Sequence, residues 1–238
     1  MITDGQRIAL VDTGIGRHDI ADPFTRIGLD AIVAAGFQFL PAVTAASQIE
    51  MFGFNLEAVT DIVLTRGDPD HVGRLADFPH AAVHISAEEL TNMQSRNPRY
   101  SVSQFSHGPK WEVYSNDDST VFDLKSRSVQ TSLDIDIRLV PLFGHTHGHC
   151  GVAVLIDDSW TLHAGDAYYL RAELTDENHP INELATIRAD NDELRRRSLM
   201  ALRALNRREV RLFGYHDTSE LPPEATHESA ARTCHPPR

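Results

Sequence analysis

An α/β fold is predicted for this chain of 238 residues, and three features predict it. Short apolar runs of strand type recur, among them residues 7–12 (RIALVD), 61–64 (DIVL), 134–141 (DIDIRLVP) and 150–156 (CGVAVLI). Several of these runs end in glycine beside a burst of ionisable groups, which is how a sheet presents a site at its edge. Helical patterns lie between them. The clearest is 190–208, with Leu194, Leu199, Leu202 and Leu205 on its inner side and arginines outside.

The first strand, 7–12, stops at Thr13-Gly14. Only a few residues precede it, so the first sheet is expected to be short at its edge. Residues 42–51 (AVTAASQIEM) read as a helix closed by Phe52-Gly53. The central stretch, 61–75, is DIVLTRGDPDHVGRL: a strand delivering Thr65, Arg66, Asp68, Asp70 and His71 into a turn that Pro69 keeps from running back as helix. Residues 81–85 form a short strand, and Ser86 caps a helix over 87–93. Residues 95–119 are polar, with Phe105, Trp111 and Tyr114, and read as a long excursion that either packs locally or covers a site mouth.

The second half repeats this grammar. The strand over 134–141 breaks at Gly144-His145-Thr146-His147-Gly148-His149. Residues 150–156 and 159–163 are strands joined by Asp157-Asp158, a hairpin turn, and Gly165-Asp166 ends the second. A last strand, 210–213, ends in Gly214-Tyr215-His216-Asp217. Residues 1–220 are expected to form one domain, and 221–238, with His227 and His235, a disordered tail.

Composition narrows the function. With 41% hydrophobic and 24% charged residues the chain reads as soluble and globular. Its 22 basic against 34 acidic residues argue against nucleic acid as a partner. Cys150 and Cys234 are too few for a disulfide framework, and Cys150 is expected to pack as a small apolar residue. No signal peptide is expected, since the start lacks a basic stretch followed by an apolar run, and the apolar stretch 31–43 is broken by Gln38 and Pro41 and too short to span a bilayer. A cytoplasmic protein acting on a small molecule is expected, with its oligomeric state open.

The elements Asp12-Thr13-Gly14, Asp70-His71, Gly144-His145-Thr146-x-Gly148-His149, Gly165-Asp166 and His216 carry a resemblance to the metallo-β-lactamase superfamily over most of the chain. It implies an αββα four-layer sandwich. The family pattern is His-x-His-x-Asp-His at the end of a strand; here Arg66 and Asp68 stand where the two leading histidines would be. The resemblance implies that one ion site survives whole in Asp70, His71, Asp166 and His216. The other keeps only His145 and the bridging Asp166, with Asp68 as a possible oxygen donor. Two imidazoles and two carboxylates suit zinc, manganese or iron(II). Arg66 cannot bind metal, being always protonated, but can supply fixed positive charge at the vacated position.

The preferred expectation is one ion per chain with Arg66 substituting for the other. Two ions with Asp68 as a replacement ligand, or no ion at all, are the alternatives. His147 and His163 are spare imidazoles, and His149 fits a supporting position better than a ligand role. The resemblance implies hydrolysis of a lactone, ester or thioester by water activated at the metal and oriented by Asp70 or Asp166. Arg66 would then hold a substrate carboxylate or a developing oxyanion. Tyr169, in GDAYY, stands where the lactone-hydrolysing branch carries a tyrosine near the substrate carbonyl, and Tyr168 is less favoured. A sulfur-oxidising iron enzyme is disfavoured, because its first histidine is Arg66 here. A binding protein without turnover, or an isomerase, cyclase or lyase of the same fold, stays open.

Overall fold

The computed structural model describes residues 1–220, so the tail at 221–238, with Cys234, His227 and His235, lies outside the described residues. The described strands form two sheets. In the first, β1 (Ile2–Thr3), β2 (Ile8–Val11), β3 (Val59–Val63), β4 (Ala82–Ser86) and β5 (Lys110–Tyr114) lie side by side in chain order. Strands β2 to β5 are parallel, and the short β1 turns back antiparallel on β2. The second sheet holds β6 (Ser119–Val121), β7 (Leu124–Val129), β8 (Ile137–Pro141), β9 (Cys150–Ile156), β10 (Ser159–His163) and β11 (Arg211–Phe213), ordered 11-10-9-8-7-6. It is antiparallel except where β11 joins β10 in parallel. The helices are α1 (Arg17–Ala21), α2 (Pro23–Arg26), α3 (Leu29–Ala35), α4 (Ala45–Met51), α5 (Pro69–Val72), α6 (Ala87–Gln94), α7 (Ile181–Arg188) and α8 (Asp192–Arg207).

Strand alternation divides the core into three. Ile8, Leu10 and Ile62 face one way and pack with Ala46 and Ile49 of α4 and Leu90 and Met93 of α6. Ala9 and Val63, on the opposite face, meet Ile137, Leu139, Cys150, Val152 and Val154 of the second sheet. On the far side of that sheet, Val140, Ala153 and Leu162 pack under Leu199, Leu202 and Leu205 of α8. Helix, sheet, sheet, helix is the four-layer sandwich. Each fully buried leucine or isoleucine contributes about 1.5–3 kcal/mol to it. The helices start at side-chain caps. Ser86 Oγ accepts from the Glu89 N–H (3.1 Å), Thr44 Oγ1 from Ser47 (3.3 Å) and Asn191 Oδ1 from Leu194 (3.1 Å). Asp157 and Asp158 make the β9–β10 turn with φ of 48° and 60°.

Three details depart from the sequence expectation. The excursion at 95–119 contains β5, an edge strand whose Trp111, together with Phe105, packs on the first core. Strand β7 has no hydrophobic alternation to betray it, because the buried positions at its centre are Ser126 and Arg127. Not all arginines of α8 face outward. Arg195 is buried and paired with Asp192 (2.7 Å), and Arg203 donates to the Glu173 carbonyl (2.8 Å). Among the described residues no helix is long and apolar enough to cross a membrane.

Candidate metal centre

The ionisable turns noted in the sequence meet at one edge of the sandwich. Strand β2 ends at Asp12, β3 runs into residues 65–71, the β8–β9 turn carries His145 to His149, and β10 and β11 end at Asp166 and His216. The Cys150 N–H donates to the Thr65 carbonyl (2.9 Å), tying the second sheet to the turn after β3. The buried Glu89 of α6 clamps the two loops together. It accepts from the Gly67 N–H (2.8 Å), the Gly148 N–H (3.1 Å), the Thr146 hydroxyl (2.6 Å) and the Tyr100 hydroxyl (2.9 Å). Gly148 lies so close to the Glu89 backbone that any side chain would collide with it. Gly144, at φ 128°, is pressed in the same way against the backbone of Arg195.

Asp70, His71 and His216 bring their donor atoms within 4.8 Å of one another. His71 Nε2 lies 3.4 Å from Asp70 Oδ2 and 3.5 Å from Asp166 Oδ1. His216 Nε2 lies 3.0 Å from Asp166 Oδ2 and 3.7 Å from Asp70 Oδ2. Asp70, His71 and His216 thus converge, and Asp166 borders them, with Oδ1 toward His71 and Oδ2 toward His216. His71 Nε2 and Asp166 Oδ1 are buried there with no hydrogen-bond partner.

The orientation of these donors is fixed from behind. Asp12 takes His71 Nδ1 at 2.7 Å and accepts from the Thr65 N–H (2.8 Å) and hydroxyl (2.7 Å), turning His71 Nε2 toward the gap. Tyr215 stacks on the His71 ring at 3.9 Å and donates to the Asp70 carbonyl (2.7 Å). His149 donates from Nδ1 to the Leu142 carbonyl (2.9 Å) and accepts the Asp166 N–H at Nε2 (2.9 Å), which places Asp166. Burial, then the neighbouring His145, lowers His149 to about 3, so it stays a neutral acceptor. Burial and Arg66 press His71 down, but Asp70 and Asp12 prevail and lift it to about 10.

Beside this group lies a second set, Asp68, His145 and Asp166 Oδ2, and arginines occupy it. Arg66 is buried; its Nε donates to Asp68 Oδ2 (2.7 Å), its Nη2 reaches Asp70 (3.2 Å) and its Nη1 pairs with Asp166. Burial works against this guanidinium's charge, but Asp166, Asp70 and Asp68 hold it well above its ordinary range. Arg99, which the sequence did not single out, completes the arrangement. Its Nε donates to Asp68 Oδ1 (2.6 Å), its Nη1 to the Arg188 carbonyl (2.6 Å) and its Nη2 to His145 Nε2 (2.7 Å). Burial, then Arg66, lowers His145 to about 4, leaving a neutral ring whose Nε2 lone pair is taken. The metal roles expected for Asp68 and His145 are thus met by guanidinium contacts instead, because two fixed cations engage their donor atoms.

The donor set fits an ion. Ligands about 2.0–2.1 Å from a tetrahedral zinc stand roughly 3.3–3.4 Å apart. His71 Nε2 lies 3.4 Å from Asp70 Oδ2 and 3.5 Å from Asp166 Oδ1, while His216 Nε2 and Asp166 Oδ2 hold each other at 3.0 Å. His71 Nε2 and Asp166 Oδ1 are buried without a hydrogen-bond partner, and an unpaired buried polar atom costs about 1–3 kcal/mol.

The model of the metallo-beta-lactamase superfamily matches residues 1–210. The chain belongs to the metallo-beta-lactamase superfamily. Two curated relatives, probable metallo-hydrolases of Mycobacterium tuberculosis and Mycobacterium bovis, are each 41% identical over 173 residues. That match takes in 70% of this chain and 55% of each relative, so the chain spans about half the length of the curated proteins it matches. An N-acyl homoserine lactone hydrolase, solved with N-hexanoyl-L-homoserine at its catalytic metal center, superposes with a TM-score of 0.66 at 16% identity. It covers 89% of this chain and 77% of its own. AidC, a dizinc quorum-quenching lactonase, gives 0.58 at 17% identity, over 91% and 70%. A probable metal-dependent hydrolase from Staphylococcus aureus gives 0.64 at 14% identity, over 90% and 72%. At such identities these structures speak for the superfamily fold alone.

Within this superfamily fold the centre opens into a cavity of about 520 Å³. Its floor is polar, and Phe37, Leu170, Ile181, Leu184 and Ile187 form apolar walls. Tyr169 lines it, its ring edge-on to His145 and His216 with centroids 5.7 and 5.4 Å away, and its hydroxyl has no hydrogen-bond partner among the described residues. Tyr168 instead turns into the core and donates to Glu220 (3.0 Å). His147 is exposed and outside the cluster. His163 packs on Phe213 (5.0 Å) and accepts the Gly165 N–H (3.2 Å), away from the donors. Cys150 is buried in β9, where burial pushes its thiol up to about 12. Arg99 was missed because nothing in its local sequence marks it; its partners come from residues far along the chain.

Proposed function

We propose that this protein is a metal-dependent hydrolase of small lactones or esters. A single divalent ion, zinc foremost with manganese or iron(II) as alternatives, would be held by Asp70, His71, Asp166 and His216. The observation that carries this reading is the pair of buried, unpartnered donors, His71 Nε2 and Asp166 Oδ1, 3.5 Å apart. The names of the mycobacterial relatives support hydrolysis, and Tyr169 of GDAYY, which lines the cavity, favours a lactone over a thioester. A bound ion supplies Lewis acidity, polarising a carbonyl and lowering the pKa of water.

The chain's own residues do the rest. Arg66 has a carboxylate at each guanidinium nitrogen, so it positions Asp68, Asp70 and Asp166 rather than gripping substrate. Asp70, held at about 2 against burial by Arg66 and His71, stays ionised and can accept a hydrogen bond that orients an attacking water. Burial first, then Asp166, keeps the Tyr169 phenol protonated, so that it can donate to an oxyanion or leaving group. The apolar walls take the apolar part of the substrate. A small molecule, not nucleic acid, is the partner this cavity suits.

A second reading, a binding protein without metal, draws on one observation: Arg66 Nη2 also reaches Asp70, so the cluster is partly neutralised from within. Metal analysis of protein purified without added metal separates the two. Near one equivalent, lost in His71→Ala, is expected together with hydrolysis of a lactone panel; no metal at any loading would leave the binding protein.

A further inference from the structure

Behind the turn that carries Asp70 and His71 lies a second, separate cavity of about 160 Å³. Its walls include Ile15, Ile20, Leu40 and Val43, and its polar lining is Thr13, Thr44, Gln38 and Arg74. Arg74 follows the metal-loop turn, and its side chain is 1% exposed. Its Nε donates to the Ile15 carbonyl, but Nη1 is buried without any hydrogen-bond partner. No carboxylate pairs with it among the described residues. The two nearest in charge are engaged elsewhere. Asp19 accepts from the Gly16 N–H (2.8 Å), Arg26 Nε (2.9 Å) and Gln104 Nε2 (3.0 Å), and Asp77 from the Arg17 N–H (3.3 Å). A buried guanidinium whose end is left unpaired is costly and demands an anion.

We propose that this cavity is a binding site for a small monocarboxylate with a short branched apolar tail. The planar edge of a guanidinium matches a carboxylate, which it can bind through parallel N–H···O contacts. Ile15, Ile20, Leu40 and Val43 then cover the tail, a surface that a bare inorganic anion would leave unused. The site is wired to the metal loop. The Arg74 N–H donates to Thr13 Oγ1 (3.2 Å), and both the Thr13 hydroxyl and N–H donate to the His71 carbonyl (2.8 Å each).

Isovalerate, isovaleramide and sulfate, titrated separately into the full chain by calorimetry with ¹⁵N amide shifts recorded in parallel, test the proposal. Isovalerate is expected to bind with a dissociation constant of roughly 0.1–1 mM. Its largest shifts should fall at Thr13, Ile15, Thr44 and Arg74 rather than at His145, Tyr169 or Asp166. Val43→Trp, at a partly exposed wall position, fills the cavity without touching Arg74 and should weaken isovalerate at least about tenfold, as should Arg74→Gln. Equal binding of the neutral amide removes the guanidinium from the account, and equal or tighter binding of sulfate removes the tail. Absence of isovalerate binding, binding unaffected by Val43→Trp, or shifts confined to the large cavity each overturn the site. No arm depends on metal or turnover.

Discussion

Replacing Arg66 by methionine keeps an unbranched, flexible side chain and removes its charge. In the native centre Arg66 is 3% exposed and bridges Asp68, Asp70 and Asp166. Without it, three carboxylates face one another with Arg99 on Asp68 and the protonated His71 beside Asp70 and Asp166 as the remaining cations in contact. Breaking a buried ion pair by removing one partner costs about 3–5 kcal/mol. For a domain of this size each kcal/mol is worth roughly 2–4 °C, so metal-free Arg66→Met should melt roughly 6–20 °C below the metal-free parent. The variant also exposes Asp166 Oδ2 and Asp68 Oδ2, the oxygens the guanidinium held. Added zinc should therefore restore more stability to the variant than to the parent, and metal content should rise above one equivalent. Arg66→His with Asp68→His, which adds two imidazoles at the same place, should raise it further. Calorimetric melting with and without zinc, beside elemental analysis of dialysed protein, measures all of this. An Arg66→Met protein as stable as the parent, still holding one equivalent, would refute the idea that this guanidinium stands in for a cation.

Glu89→Gln should cost about 1–3 kcal/mol in urea denaturation. Each carboxylate oxygen accepts one backbone N–H, from Gly67 or Gly148, so either amide orientation sets an N–H against an NH₂. Tyr169→Phe should lower kcat on a lactone by tens- to hundreds-fold, on the order seen for one oxyanion donor, with metal content unchanged; unaltered kcat would remove the phenol from the chemistry. Asp61 is held at about 2, against burial, by bonds from His84, Ser132 and Thr60. Because the folded value is depressed, its contribution is present above the unfolded value near 4 and lost as pH falls toward 2. Asp61→Asn should flatten that acid limb of stability.

The strands that deliver the site were legible because β2, β3, β8, β9 and β10 are apolar and end at glycine or a charge cluster. Asp70, His71, Asp166 and His216 could be read as a group for the same reason: each sits at such an end, and the parallel strands place those ends together. Three kinds of feature were not legible. Strand β7 hides its period because Ser126 and Arg127 fill the buried positions, with Arg127 paired to Glu88 (2.6 Å). Arg99 lies in a polar stretch with no period, and its role depends on Asp68, His145 and the Arg188 carbonyl, 31 to 89 residues away. The inward arginines of α8 defeat a pattern rule that places charge outside. Arg195 and Arg203 are buried because Asp192 and the Glu173 carbonyl receive them. The residues that were legible are local; those that were not depend on partners brought in by the fold.

Charge explains why half of the centre kept its donors. Asp12, Asp68, Asp70 and Asp166, with Asp190 beside Arg99, bring five negative charges, and Arg66 and Arg99 return two positive ones, leaving three unbalanced. A divalent ion takes up most of that excess with His71 neutral. Without the ion the cluster recruits a proton, which is why Asp70 and Asp12, against burial and Arg66, lift His71 to about 10. Ion and proton therefore compete for His71. At neutral pH, uptake of zinc should release about one proton, and apparent affinity should rise by about tenfold per pH unit between pH 7 and 9. The metal-free protein should lose the matching stability as pH climbs from the ordinary histidine value, near 6.5, through 10, since a raised folded pKa favours the folded state at low pH. Zinc titrations in buffers of different ionisation enthalpy count the released proton directly. Uptake without release, or affinity flat across that range, would mean that His71 already presents a bare Nε2 and that the excess negative charge is balanced elsewhere.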